Sequence, residues 1–175
     1  MKKREGMSLE GGKYSIDWSA NELVLPTDPT ITNKFEHEVV SRLKTLKWPE
    51  ESINRIIVSI TEALNNAILH GNLDLPSEAD DPAAYKQKKI AALAGELAKR
   101  KVYVSLDLND KKLIVKIKDE GRGIPEEGLP DPTAEENIMR EAGRGLFLIG
   151  KMADEVYIGG TEIAMVFYNK LDETR

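Results

Sequence analysis

In the segment TEALNNAILHGN (61–72) an acid, an amide and an imidazole recur at every fourth residue: Glu62, Asn66 and His70. On an α-helix they form one ladder, roughly opposite an apolar face made of Ile53, Ile56, Ile57, Ile60, Leu64, Ala67 and Ile68. A carboxylate so placed takes a proton or orients a nucleophile. An amide oxygen one turn away is a ligand for Mg²⁺, which accepts few protein ligands beside substrate phosphates. The same spacing also makes an ordinary solvated polar face. A second group is Asp119-Glu120-Gly121-Arg122-Gly123. A carboxylate at a strand end accepts from an exocyclic amine, which favours adenine over guanine, and the two glycines let a flat ring approach the backbone. It also reads as a turn that ends a strand. The third group, Gly143-Arg144-Gly145, precedes a short apolar stretch. Free N–H groups at a helix start and a guanidinium fork suit phosphate, although a flexible joint has the same composition.

The elements that must carry these groups follow from the periodicities. Residues 1–11 read as a loose polar tail, followed by extended pieces at 13–18 and 22–26. Helical spacing of Phe35, Val39, Leu43 and Leu46 predicts a helix over 31–47. Trp48-Pro49-Glu50-Glu51 restarts a helix that runs to about residue 69, with Pro early and two acids in its first turn. A linker rich in Pro and acids (73–82) leads to a third helix over about 83–100, capped by Asp81-Pro82. Alternating residues at 102–108 and 113–118, with a turn at Asn109-Asp110-Lys111, predict a hairpin that delivers Asp119. Residues 125–142 exceed ordinary loop length and read as a lid or a disordered segment. A helix at 146–152 and a hairpin of 155–158 with 161–168 complete the chain. That order predicts an α/β (α+β) two-layer sandwich, with a mixed, mostly antiparallel sheet and helices on one face.

The whole composition narrows the chemistry further. The 175 residues suit a single domain, 41% of them hydrophobic and 31% charged. With no cysteine, a thiol nucleophile, a disulfide framework and Cys-ligated zinc are excluded, and two histidines, His37 and His70, are too few for a His-rich metal site. The 25 basic residues against 30 acidic ones leave a net charge of −5, and only 6% of residues are aromatic. Neither favours direct contact with nucleic acid. No apolar run approaches the roughly 18 residues of a membrane helix, and no signal-peptide pattern follows the N-terminal basic residues. The expectation is a cytoplasmic protein that binds neither membrane nor nucleic acid.

Taken in order, the three groups resemble the boxes of the GHKL ATPase superfamily, the Bergerat ATP-binding fold, and within it the anti-sigma-factor serine/threonine-protein kinases of the RsbW-like family. The matching stretches are TEALNNAILHGN (61–72), DEGRGI (119–124) and DPTAEENIMREAGRGLFLIGKMADEV (131–156), with GGTEIAMVF (159–167) as the last hairpin. The resemblance covers about residues 21–168. It implies a single ATPase domain over 21–170, an N-terminal extension over 1–20, and an added helical insertion at about 73–100 where compact relatives connect in a few residues.

The resemblance also implies roles. Glu62 would be the general base toward a protein hydroxyl, and Asn66 the Mg²⁺ ligand beside the triphosphate. Asp119 would read the adenine amino group, with Gly121 and Gly123 lining the ring and Thr161 beside the aspartate. Gly143, Arg144 and Gly145 would wrap the phosphates. Asn65 takes no metal role, and His70 is structural or near the phosphates. The implied activity is ATP-dependent phosphorylation, on serine or threonine, of an anti-sigma antagonist of the STAS type, with a sigma factor as a further partner. Homodimerisation, which occurs in the family, stays open. Two other readings compete: a nucleotide-binding switch that transfers no phosphate, and a catalytic domain that serves another protein's histidine. The helix face with Ile90, Leu93 and Leu97 reads as extra core or as a docking surface.

Overall fold

The computed structural model describes residues 7–10, 13–16, 22–76, 81–124 and 144–170. Strands β1 (Met7–Glu10) and β2 (Lys13–Ile16) pair as a separate antiparallel ribbon, Met7 opposite Ile16 and Glu10 opposite Lys13. For residues 7–10 this corrects the loose tail expected over 1–11, the rest of which lies outside the described residues. The sequence between the paired ends is Gly11-Gly12, a hairpin signal.

The main sheet holds β3 (Leu23–Pro26), β4 (Lys101–Leu108), β5 (Lys112–Lys118), β6 (Glu155–Gly159) and β7 (Glu162–Tyr168), in the order β3-β4-β5-β7-β6. Every pairing among the described strands is antiparallel, so the sheet is not mixed. The alternation of side chains follows the register. Leu25 faces Val102, Val104 faces Ile117, and Leu113 faces Phe167, each buried on one side of the sheet. Lys116, Lys118, Glu162 and Tyr168 stand exposed on the other.

Helices cover the apolar side. In α1 (Ile31–Thr45), Ile31, Phe35, Val39 and Leu43 are fully buried, and in α2 (Glu50–Asn65) so are Ile56, Ile60 and Leu64. The two helices join where Lys47 takes a left-handed conformation (φ 60°). Buried Trp48 fastens that joint to the β4–β5 turn, its Nε1–H donating to the Asn109 carbonyl at 3.0 Å. The result is an α/β two-layer fold with one hydrophobic layer between sheet and helices.

Two helices differ from expectation. The α-helical register of α2 ends at Asn65, and residues Asn66–Asn72 continue as a wider π-helical turn. The expected helix over 83–100 splits. Helix α3 (Pro82–Leu93), whose first turn is capped by Asp81 through Ala83 and Ala84 N–H, stops before an extended Gly95, and a 3₁₀ turn, Glu96–Lys99, follows. Glycine is a poor helix residue, so the helix gains little by continuing through that point. No residue of α3 is fully buried; Leu93 and Leu97 rest against the core while Ile90 stays 59% exposed. Helix α4 (Arg144–Met152) packs along α2 with Ile149 buried.

Candidate nucleotide site

Glu62 lies in the last turn of α2 and Asn66 opens the π turn; both are half-buried. Helix α4 brings Gly145 against them. A β-carbon at Gly145 would stand 2.8 Å from Glu62 Oε2 and 3.3 Å from Asn66 Nδ2, so the start of α4 lies directly against the ends of both side chains. The far end of α4 is fixed. Arg55 of α2 donates from Nε (2.9 Å) and Nη2 (2.6 Å) to the Met152 carbonyl and pairs with Asp154 at 3.2 Å. Asp154 also accepts from the Tyr168 N–H and from Lys170. Burial pushes the Asp154 carboxyl up, but these donors outweigh it and hold the group below its ordinary value. The sequence therefore positions the first turn of α4 from its last.

Asp119 sits at the corner where β5 ends, and the π turn meets it there. A β-carbon at Gly71 would fall 2.5 Å from Asp119 Cγ, and one at Gly121 would overlap the Gly71 carbonyl. The Gly121 N–H donates to Asp119 Oδ1 at 2.7 Å, and the Asp119 N–H donates to the Thr161 carbonyl at 3.1 Å. Gly123 takes φ +77° and packs on Gly160 and on the Thr161 methyl, and the Ile124 N–H donates to the Gly160 carbonyl at 2.8 Å. Burial raises the Asp119 carboxyl above its ordinary range, an effect only partly offset by the Gly121 N–H and by Arg100. Next to it, Glu120 is held below the ordinary range by the Lys101 N–H and the Tyr103 hydroxyl. A cavity of about 460 Å³ opens at this corner, lined by Glu22, Tyr103, Lys118, Asp119, Glu120, Gly121 and Thr161. Neither Glu62 nor Asn66 lines it.

One rod thus joins the two halves of the site. The helix running from Glu62 through Asn66 to Gly71 touches the start of α4 at one end and Asp119 at the other. Nine residues at 1.5 Å rise make about 13 Å, a little less through the wider π turn. The structure gathers Glu62, Asn66 and Gly145 at one end, and Asp119, Gly121, Gly123 and Thr161 at the other. Arg144 is exposed on the first residue of α4. Gly143 and the segment 125–142 lie outside the described residues.

His70 does not continue the ladder. In the π turn it is exposed, and its Nδ1 meets the Leu75 carbonyl at 2.7 Å, a structural contact in which the imidazole N–H donates. Two residues that the sequence reading did not assign complete the corner: Gly71, pressed on Asp119, and Asn72, fully buried behind it. The only sequence signal for them was the Gly-Asn pair that ends the helical pattern. Among the described residues, no three His, Cys, Asp or Glu side chains cluster as a metal nest. No helix there is long and apolar enough to cross a membrane.

No curated protein matches the chain. A family model of the histidine kinase-like ATPase domain, however, matches residues 25–167, from within β3 to the penultimate residue of β7. That span holds both ends of the helical rod, the corner it abuts and the helix that meets it, and the chain accordingly belongs to the histidine kinase-like ATPase domain family, whose members bind ATP.

Proposed function

We propose that this protein is an ATP-dependent serine/threonine-protein kinase and anti-sigma regulatory factor of the cytoplasm, acting on a STAS-type antagonist and also engaging a sigma factor. The observation that carries this is the Glu62 carboxylate beside Asn66 at the start of α4. A domain that only held nucleotide needs no carboxylate at the phosphate end. Asp119, with Gly121, Gly123 and Thr161 around it, receives the base, its carboxylate accepting from the adenine amino group. Gly143, Arg144 and Gly145 surround the phosphates with backbone N–H groups and one guanidinium.

The donor set at the phosphate end fits Mg²⁺, because a single amide oxygen beside a triphosphate is the sparse protein ligation this ion takes. Asn66 would hold it, and the ion would neutralise charge on the phosphates. Glu62 takes the proton of the incoming serine or threonine hydroxyl as its oxygen bonds to the γ-phosphorus and the bond to the β-phosphate oxygen breaks, leaving ADP.

Incubation with radiolabelled ATP and STAS-type candidate substrates tests this reading. Acid-stable label on serine or threonine is expected. Acid-labile label would move the activity to histidine, and nucleotide binding with no label on any candidate would leave a switch. Glu62→Gln should bind ATP as before and lose about 10²–10⁴-fold in transfer rate; near wild-type transfer would remove the base assignment.

A further inference from the structure

The π turn closes on Asn72, which has no solvent exposure and whose amide is fully engaged. Its Nδ2 donates to Thr27 Oγ1 at 2.8 Å and to the Lys101 carbonyl at 3.0 Å. Its Oδ1 accepts the Glu120 N–H at 2.8 Å. Its own carbonyl accepts from Arg100 Nη1 at 2.9 Å, and Thr27 in turn donates to the Arg100 carbonyl. A buried amide is costly unless every polar atom is paired, and this one pairs in both directions. The bond to Glu120 matters most. Residue 120 lies between Asp119 and Gly121, so Asn72 holds the corner from the helix side while Thr161 and Gly160 hold it from the β6–β7 side.

We propose that Asn72 is a positioning residue for Asp119: by fixing the Glu120 amide it sets where the Asp119 carboxylate stands against Gly71, and so how well the site tells adenine from guanine. Asn72 touches no nucleotide itself. The proposal rests on the reading of Asp119 as the acceptor for the base. Without the amide, the Glu120 N–H loses its partner and the helix side no longer holds the corner, which keeps the Thr161 and Gly160 contacts and the Glu120 side-chain bonds to Lys101 and Tyr103. The carboxylate then loses its fixed distance to the base edge, while the phosphate end at Glu62, Asn66 and Gly145 keeps its own contacts.

The test uses the full chain and measures dissociation constants for ATP and GTP with Mg²⁺ by calorimetry, alongside melting temperature, for wild type, Asp119→Asn, Asn72→Ala and Thr27→Val. The wild type should prefer ATP, and Asp119→Asn should erase that preference. Asn72→Ala should narrow the ATP-to-GTP ratio about tenfold, the value of one well-made hydrogen bond. A merely structural asparagine would weaken both nucleotides alike and leave the ratio intact, and that result in folded Asn72→Ala overturns the proposal. If Asn72→Ala does not fold, Thr27→Val decides, since it removes one of the two acceptors anchoring the amide: a ratio narrowed about threefold supports the proposal, and an unchanged ratio overturns it. A different failure, no base preference in wild type or none lost in Asp119→Asn, removes the acceptor reading of Asp119 and this inference with it.

Discussion

Asp119 is a single carboxyl set against stability, on the proposed reading for the sake of a ligand. Its pKa is raised by burial, so the folded chain holds that proton more firmly than the unfolded chain does. The cost is absent below the ordinary carboxylate range and complete above the raised value, so it weighs on the protein at neutral pH. Asparagine keeps an oxygen to accept the Gly121 N–H and removes the charge. Asp119→Asn should therefore melt at the same or a higher temperature than wild type at neutral pH, and that gain should shrink on acidification. Its ATP affinity should fall at least about tenfold, because the new amide offers the adenine amino group a poorer acceptor. Calorimetric titration with thermal melts at two pH values checks both halves. At this scale much was legible: an Asp followed by spaced glycines at the end of an alternating strand marks a corner. Gly71 was not, because its significance comes from a carboxylate 48 positions further along the chain.

Among the elements, α4 shows how one end of a helix is placed by the other. The guanidinium of Arg55 gives the last carbonyl of α4 a charged partner and reaches Asp154 as well. Arg55→Ala leaves the Met152 carbonyl without that partner and should cost about 2 kcal/mol, read as a lower urea midpoint with unchanged slope. It should also weaken ATP binding, since Gly145 lies on the same helix. Asp154, held below its ordinary value, contributes stability that is present above the unfolded carboxylate pKa and is lost as pH falls through the lowered one. The apolar faces of α1 and α2 could be read directly from their spacing. The π turn could not, because NAILHG satisfies an ordinary helical period. What selects the wider turn is the set of partners it meets, the Asp119 corner on one side and Thr27 with Lys101 on the other.

For the molecule as a whole, the alternating strands were visible one by one, while their uniform antiparallel pairing depends on neighbours far apart in sequence. Helix α3 marks the same boundary: composition announced a helix but not what it would cover. Ile90 is 59% exposed, so Ile90→Ser should change stability by no more than about 0.5 kcal/mol. Phe35→Ala, emptying a site with no exposure, should cost about 3–5 kcal/mol. Denaturant melts compare the two, and a large loss at Ile90 would return that face to the core. The Asn72 junction has a consequence for the order of events in folding. Its partners lie 45, 29 and 48 residues away along the chain, at Thr27, Lys101 and Glu120. Junctions of such long reach close late, after the loop entropy of every intervening segment has been lost. On the proposed reading of Asp119, a chain still partway through folding has no purine-reading corner to offer, so nucleotide favours finished molecules and draws the folding equilibrium toward them.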